Sequence, residues 1–167
     1  VVIDTPSPDQ NFGVCQNITV NVTVTNTGNG TAINCNVTIS WTTAYASFAG
    51  GDPNPKDLGT LDPGQSATAN WTLHCDGPGD VFINVTVNGT DNQTGKDLRT
   101  GFPTPNVDDD NVTVHQLKAH LKLRIDAPQT CTNFGVCQDF MVNVTVYNIG
   151  NGNATNVTVT IRLYSNA

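Results

Sequence analysis

Apolar and polar residues alternate along most of the first 116 residues of the chain. The clearest run is NITVNVTV, in which Ile18, Val20, Val22 and Val24 are separated by single polar residues. This period of two is typical of a β-strand with one buried face, because successive side chains of a strand point to opposite faces. We therefore expect the apolar positions to form a core and the asparagines and threonines to face solvent.

Three further runs alternate in the same way, and shorter strands are expected in VVID, KDLGT and NVTVHQ. The three runs are Ile33–Trp41, Ala67–Cys75 and Val81–Val87. Clusters rich in Gly, Pro, Asn and Asp separate them and favour turns. Helix is disfavoured, because all fourteen acidic residues are Asp and none is Glu. Seven strands at this spacing predict an all-β fold, an immunoglobulin-like β-sandwich.

The stretch NFGVCQ occurs twice, beginning at Asn11 and at Asn133, which gives a repeat offset of 133 − 11 = 122 residues. The match continues without insertion from TNTGNGTA to YNIGNGNA. We interpret residues 1–116 as one complete sandwich and residues 117–167 as the first three strands of a second. The chain is therefore predicted to be a segment of a tandem array.

Three segments in this order, VTVTNTGNGTA, LGTLDPGQSATANWTL and PGDVFINVTVNGTD, resemble the CARDB-type (cell-adhesion-related) immunoglobulin-like repeats of archaeal and bacterial surface proteins. The resemblance covers nearly all of the first copy and the available start of the second. It implies an extracellular module, often in tandem, attached to adhesins, surface layers or secreted enzymes. It brings no catalytic residues, and no enzyme activity is expected.

Asparagine occurs in the glycosylation acceptor motif N-x-T far more often than chance predicts. With 21 Asn and 29 Ser plus Thr in 167 residues, chance gives 21 × 29 / 167, or about four, matches. In a strand, the Asn and Thr of the motif share the solvent face, and Asn is otherwise a poor strand former. An outward face alternating with Val also favours Thr, which is the competing explanation. We expect N-glycans at twelve sites: Asn17, Asn21, Asn29, Asn36, Asn70, Asn84, Asn88, Asn92, Asn111, Asn143, Asn153 and Asn156.

The charge balance excludes one class of partner. The formal net charge is −7, and only seven scattered basic residues are present. Nucleic-acid binding needs clustered Lys and Arg to neutralise phosphates, so it is not expected. No apolar run approaches the roughly 20 residues that a membrane helix requires, so this segment is not expected to span a membrane.

Five cysteines occur without a C-x-x-C pair, which disfavours zinc and thioredoxin-like chemistry. Cys15 and Cys75 fall at the same end of the predicted sandwich, and we expect a disulfide between them. Cys35 faces the predicted core and is expected to be a free thiol. Cys131 and Cys137 could close a short loop together, or Cys131 could cross-link a neighbour. Cysteines and acceptor motifs together favour an oxidising, extracellular location.

No cofactor is expected apart from covalent glycans. The run Asp108–Asp110 could bind Ca²⁺ through carboxylate oxygens, but a solvated loop is the favoured interpretation. The three histidines, His74, His115 and His120, fall on predicted outer faces and are too scattered for a zinc site.

These observations favour a structural protein. We expect a heavily N-glycosylated extracellular segment of a prokaryotic, and more specifically archaeal, surface filament, sheath or surface layer that assembles through homotypic contacts. A variant has neighbouring copies completing the second repeat by strand donation. The alternative is an adhesin stalk or carbohydrate-binding appendage, which would contact surface glycans through Tyr45 and Phe48 in the loop SWTTAYASFAGG.

Overall fold

The structure is a computed structural model that describes residues 1–129, 133–135 and 138–162. Over these residues it contains eleven strands and no helix, so the all-β prediction is confirmed. The chain divides into two compact units, Val1–Leu117 and Lys118–Ala167. We call them unit 1 and unit 2 and describe each by itself.

Unit 1 is a sandwich of two sheets. Its strands, in chain order, are β1 (Val2–Thr5), β2 (Asn11–Gly13), β3 (Asn17–Thr25), β4 (Ala32–Trp41), β5 (Ala46–Phe48), β6 (Lys56–Leu61), β7 (Ser66–Cys75), β8 (Gly79–Asp91) and β9 (Asp110–Leu117). One sheet has the order β1-β3-β7-β5, and the other has the order β2-β9-β8-β4-β6. All pairs are antiparallel except β2 with β9.

The core lies between the two sheets and consists of the apolar positions of the alternating runs. Fully buried side chains include Ile18, Val20 and Val22 of β3 and Trp71 and Leu73 of β7. Burying such side chains is the main favourable contribution to folding, at about 1.5–3 kcal/mol for each large aliphatic or aromatic group. The buried positions of β3 and of β8 are those that the alternation predicts.

Strand β4 departs from strict alternation near its start. Asn34 has a φ of 51°, and the register with β8 shifts between Ile33 and Asn36. Asparagine tolerates this left-handed conformation better than β-branched residues do. Ile33 is consequently only partly buried, and Trp41 at the far end of the strand is also partly buried, although both are expected in the core.

Unit 1 has two strands more than the seven predicted. They are β2, which pairs in parallel with β9, and β5, which extends the first sheet beside β7. Each spans three residues, which is too short for a period of two to be recognised. β5 lies in SWTTAYASFAGG, which is expected to be a loop, and β2 lies in the repeated stretch NFGVCQ.

Unit 2 contains an antiparallel pair of strands, β10 (Leu121–Ala127) and β11 (Asn143–Asn148). The pairing repeats that of unit 1 at the offset of 122 residues. Ile125 pairs with Val144 in unit 2, as Ile3 pairs with Val22 in unit 1. The repeat in the sequence is therefore also a repeat in register.

The third strand expected in unit 2 is not formed in the residues that the structure describes, up to residue 162. Its apolar residues Val157, Val159 and Ile161 are exposed. The equivalent strand of unit 1, β4, hydrogen-bonds to β6 and β8, and the described part of unit 2 offers no counterpart of either. A strand needs a partner for its backbone groups, so the third strand of residues 117–167 stays a prediction.

Candidate functional site

The outward face of the β3–β7 pair brings two acceptor asparagines together. Asn21 lies directly opposite Asn70, and both are exposed. The residues that follow them, Val22 and Trp71, are fully buried. Directly opposite residues of antiparallel strands have Cβ atoms about 4.5–5.5 Å apart. The two acceptor nitrogens therefore occupy nearly the same place on the surface.

The second sheet repeats this arrangement twice. Asn84 of β8 lies opposite Asn111 of β9, and Asn36 of β4 lies opposite Asn88 of β8. Asn111 is exposed, whereas the other three are partly buried. Six of the twelve acceptor asparagines thus form three cross-strand pairs, a relationship that the linear sequence does not show.

Asn88 differs from the other acceptors because its amide is already used. Its Nδ2 donates to Asp97 Oδ2 at 2.9 Å, and its Oδ1 is buried without a hydrogen-bond partner in the described part of the chain. The pKa of Asp97 is lowered to about 2. The hydrogen bond from Asn88 is the largest cause, and hydrogen bonds from Thr100 and Arg99 add to it. A nitrogen held in this way is poorly placed to accept a sugar.

The remaining acceptors are exposed and lie at strand ends, in turns or on unit 2. They are Asn17, Asn29, Asn92, Asn143, Asn153 and Asn156. Asn17 accepts a hydrogen bond at 3.0 Å through Oδ1 from the Nδ1 of His74, its cross-strand neighbour, which leaves its own nitrogen available. Nine of the twelve asparagines are exposed, and none is buried.

Cys15 and Cys75 are neighbours, as the sequence predicts, but both are free thiols in this structure. The Cys15 amide donates to the Cys75 carbonyl at 2.8 Å. Burial, then the charges of Asp76 and Cys15, raises the pKa of Cys75 to about 11. Cys35 is buried, and burial raises its pKa as well.

The expected alternatives for Cys131 and Cys137 lie outside the described residues.

Two of the three clustered aspartates are engaged within the protein. Arg99 donates to Asp109 through both terminal nitrogens, at 2.5 and 3.2 Å. Asp110 Oδ2 accepts the backbone amide of Ile3 at 2.7 Å. Over residues 1–129, 133–135 and 138–162, no three His, Cys, Asp or Glu side chains are arranged to hold a metal ion.

His115 is flanked by two carboxylates on the outer face of the second sheet. Its Nδ1 lies 2.6 Å from Asp80 Oδ1, and its Nε2 lies 3.4 Å from Asp9 Oδ1. The hydrogen bond to Asp80 is the largest cause that raises the pKa of His115, with Asp9 adding to it. His115 and Asp80 pair across the strands of the sheet and form an ion pair when the imidazole is protonated.

The aromatic residues of the predicted carbohydrate-binding loop do not form a flat platform. Phe48 packs edge-on against Trp41, with ring centroids 4.5 Å apart. Tyr45 covers Gly79, where an added Cβ would lie 2.8 Å from the tyrosine ring. Phe82 is 47% exposed and faces outward, as its position in the alternation predicts.

Sequence reasoning missed a cleft at one end of unit 1. It has a volume of about 490 Å³ and lies beside the turn Asn26–Gly30. Leu98, Val107 and Asp108, from the long loop before β9, form part of its wall. Its residues are far apart in sequence. The sequence signal near it is the recurrence of TGNG and IGNG at the repeat offset, which marks the turn beside the cleft.

A family model named CARDB matches residues 1–94, which is more than half of the chain. The chain therefore belongs to the CARDB family. This family consists of non-catalytic immunoglobulin-like modules that are typical of extracellular and cell-surface proteins. The resemblance stated from the sequence is thereby confirmed.

Three solved structures are similar to this chain at low identity. The NMR structure of a CARDB domain from Pyrococcus furiosus is 16% identical, with a TM-score of 0.46, and the match covers 66% of this chain and 88% of that one. Salmonella alpha-2-macroglobulin is 16% identical, with a TM-score of 0.48 over 74% of this chain and 8% of its own. The secreted serine protease VesC from Vibrio cholerae is 17% identical, with a TM-score of 0.37, and the match covers 66% of this chain and 22% of the protease. No curated relative matches the sequence.

Among the residues that the structure describes, none belongs to a helix of the length and apolarity needed to cross a bilayer.

Proposed function

We propose that this chain is a structural segment of an extracellular prokaryotic surface assembly and that N-glycans coat its sheet faces. The assembly would be a filament, sheath or surface layer. The archaeal assignment rests on the density of acceptor motifs combined with membership of the CARDB family. The sandwich supplies a stable body, and its outer faces carry the sugars.

The exposure of the acceptor asparagines carries this proposal. Nine of twelve are exposed, while the residues between Asn and Thr in the strand motifs, such as Val22, Trp71 and Val85, are fully buried. Asn-linked glycans are bulky and solubilising and require a surface position. A coat of this kind would compensate for a low charge, since only 13% of the residues in the chain are charged.

Glycopeptide mass spectrometry of material from the native source tests the proposal. We expect sugar on most of the exposed acceptors, Asn21 or Asn70, Asn29, Asn92 and Asn111 among them. Chemical deglycosylation should return every peptide to its unmodified mass. If native peptides covering all twelve motifs carried no sugar, the coat would have to be abandoned.

A disulfide between Cys15 and Cys75 is part of the proposal. The backbone hydrogen bond between them places the two residues side by side at the end of β7. A bridge there would close a loop of 60 residues, from 75 − 15, and in the chain-entropy description loops of this size are stabilised by roughly 4 kcal/mol. Alkylation of the unfolded native protein without reductant should leave both cysteines unlabelled. Labelling of both would exclude the bridge.

Homotypic assembly is part of the proposal, and it would cover the apolar face of unit 2. Leu123 and Ile125 are 53% and 60% exposed, whereas their equivalents in unit 1, Val1 and Ile3, pack against the core. Such a face requires a covering sheet, from the same polypeptide or from a neighbouring copy by strand donation. The adhesin alternative has less support, since Phe48 is packed against Trp41 rather than presented to a ligand.

A further inference from the structure

Both units contain the same asparagine-centred turn, Asn26–Gly30 in unit 1 and Asn148–Gly152 in unit 2. In unit 1, Asn26 Nδ2 donates to the Gly30 carbonyl at 2.8 Å, and its Oδ1 accepts from the Gly28 amide at 3.0 Å. The corresponding distances in unit 2 are 2.7 and 3.1 Å. One turn geometry is therefore used twice.

In unit 2 this turn binds the extended segment that leads into β10. The amides of Ile149 and Gly152 donate to the carbonyls of His120 and Lys118, at 2.7 and 3.1 Å. The His120 amide donates in return to Asn148 Oδ1 at 3.1 Å. Three hydrogen bonds thus fix the backbone of residues 118–120 on the turn.

The contact explains why position 150 is glycine. A Cβ added at Gly150 would lie 2.9 Å from the carbonyl carbon of Ala119 and closer still to His120 N and Lys118 O. The φ of Gly150 is not in the left-handed region that favours glycine. Close approach of the segment, rather than the turn itself, therefore requires a residue without a side chain.

In unit 1 none of the described residues occupies the corresponding place on the turn. Gly28 occupies the place of Gly150, yet an added Cβ would meet only Asn26 Oδ1, at 3.2 Å. The amides of Thr27 and Gly30, equivalent to the two donors of unit 2, have no acceptor within the described residues. The cleft of about 490 Å³ lies against this turn and includes Val1 in its wall.

We propose that the Asn26–Gly30 turn and the adjoining cleft form a docking site for an extended polypeptide segment that leads into β1. The occupant has the chemistry of Lys118–Lys122, with sequence KAHLK. Its carbonyl groups accept the hydrogen bonds of Thr27 and Gly30, and its backbone passes over Gly28. Asp91 and Asp108 line the cleft and complement a segment that carries basic side chains. This inference does not depend on glycosylation.

The test uses the full chain with Leu-Lys-Ala-His-Leu-Lys, the sequence of residues 117–122, added directly before Val1. Backbone amide exchange is measured by NMR in this protein and in the unextended chain. The expected result is that exchange of the Thr27 and Gly30 amides slows by about tenfold on extension, the effect of one net hydrogen bond. Equal exchange rates in the two proteins would overturn the proposal.

Gly28→Ala supplies the matched control. In the extended protein the added methyl group should remove the protection of Thr27 and Gly30, and in the unextended chain it should change exchange little. Protection that survives Gly28→Ala would show that the extension binds elsewhere, against the proposal.

Gly150→Ala tests the corresponding contact of unit 2 in the unextended chain, and it should accelerate exchange at Ile149 and Gly152. Unchanged exchange there would contradict the role assigned to the glycine.

Discussion

Individual asparagines in the same three-residue motif have different chemistry in this fold. Asn21 presents a free amide to solvent, whereas Asn88 donates its amide to Asp97 and buries its carbonyl oxygen. Asp97 in turn accepts from the amides of Arg99 and Thr100, at 2.9 and 2.8 Å. The carboxylate of Asp97 therefore holds the loop after β8 in place, and Asn88 stabilises that loop by donating to the same carboxylate.

Replacing Asp97 by alanine should loosen this loop. Without the carboxylate, the Arg99 and Thr100 amides lose their acceptor, and their exchange should accelerate by about tenfold or more. Amide exchange followed by mass spectrometry measures the change. Asp108→Ala is the control, since that side chain makes no hydrogen bond or ion pair within the described ranges and should leave exchange unchanged. Equal exchange in both variants would contradict the role of Asp97.

The Asp97 contribution should depend on acidity in a defined direction. The pKa of Asp97 is lowered to about 2 in the folded protein, below its ordinary value near 3.8. Its stabilising effect is therefore complete above the unfolded pKa and is lost as the pH falls through the folded pKa.

His115 should show the opposite pH dependence. Asp80 and Asp9 raise its folded pKa above the ordinary value of 6.5, so its stabilising effect is complete below that value and disappears as pH rises through the folded pKa. His115→Gln should lower the melting temperature at about pH 5.5 and have no such effect near about pH 9. Thermal unfolding at the two pH values measures this. His120→Gln, whose imidazole makes no ion pair in the described part of the protein, should show no pH-dependent difference.

At the scale of the elements, strand pairing determines which acceptor asparagines lie side by side. Asn21 and Asn70 come from β3 and β7, which are distant in sequence and opposite in the sheet. Two bulky glycans cannot both extend freely from asparagines about 5 Å apart. For the proposed glycans, occupancy would therefore depend on the pair of strands and not on each motif alone.

Asn70→Gln should increase glycan occupancy at Asn21 when the protein is produced in its native host. The physical reason is the removal of a competing glycan on the neighbouring strand. Quantitative glycopeptide mass spectrometry measures the occupancy. Asn143 provides an internal control, because it holds the equivalent position on β11 and pairs with Ala127, the counterpart of Thr5, while no described residue of unit 2 corresponds to Asn70. A rise at Asn143 equal to that at Asn21, or no rise at Asn21, would argue against competition.

The long strands could be predicted from the sequence because burial on one face imposes a period of two over eight or more residues. In β3 and β8 this signal correctly assigns the buried residues. The three-residue strands β2 and β5 carry too few positions for any period, and the bulge at Asn34 depends on its backbone conformation. The cross-strand pairs and the cleft could not be predicted, since both depend on register between distant segments.

At the scale of the whole molecule, the two units use the same sequence pattern but bury it to different extents. Unit 1 encloses its apolar face between two sheets, whereas Leu123 and Ile125 of unit 2 remain largely exposed. An apolar sheet face of this kind is covered when a second sheet packs against it, in the same polypeptide or in a neighbouring copy.

Double replacement of Leu123 and Ile125 by aspartate should suppress self-association of the chain. We expect the unmodified chain to associate in a concentration-dependent way, because the apolar face lacks a cover within the described residues, and the charged variant to sediment as a monomer. Sedimentation velocity over a range of concentrations measures this. Phe82→Asp, on the outer face of unit 1, is the control and should associate like the unmodified chain. A monomeric unmodified chain at high concentration would rule out this face as a self-association site.

The alternation of buried valine with exposed asparagine also bears on how the strands find their register. A shift of β3 by one residue against a fixed β7 would turn Asn21 into the core and expel Val22. A glycan attached to Asn21 before the sheet forms would be far too large and polar to be enclosed between two sheets. The slipped pairing would then be sterically impossible as well as unfavourable. A modification on the surface would therefore help to select, during folding, the register that buries the correct residues.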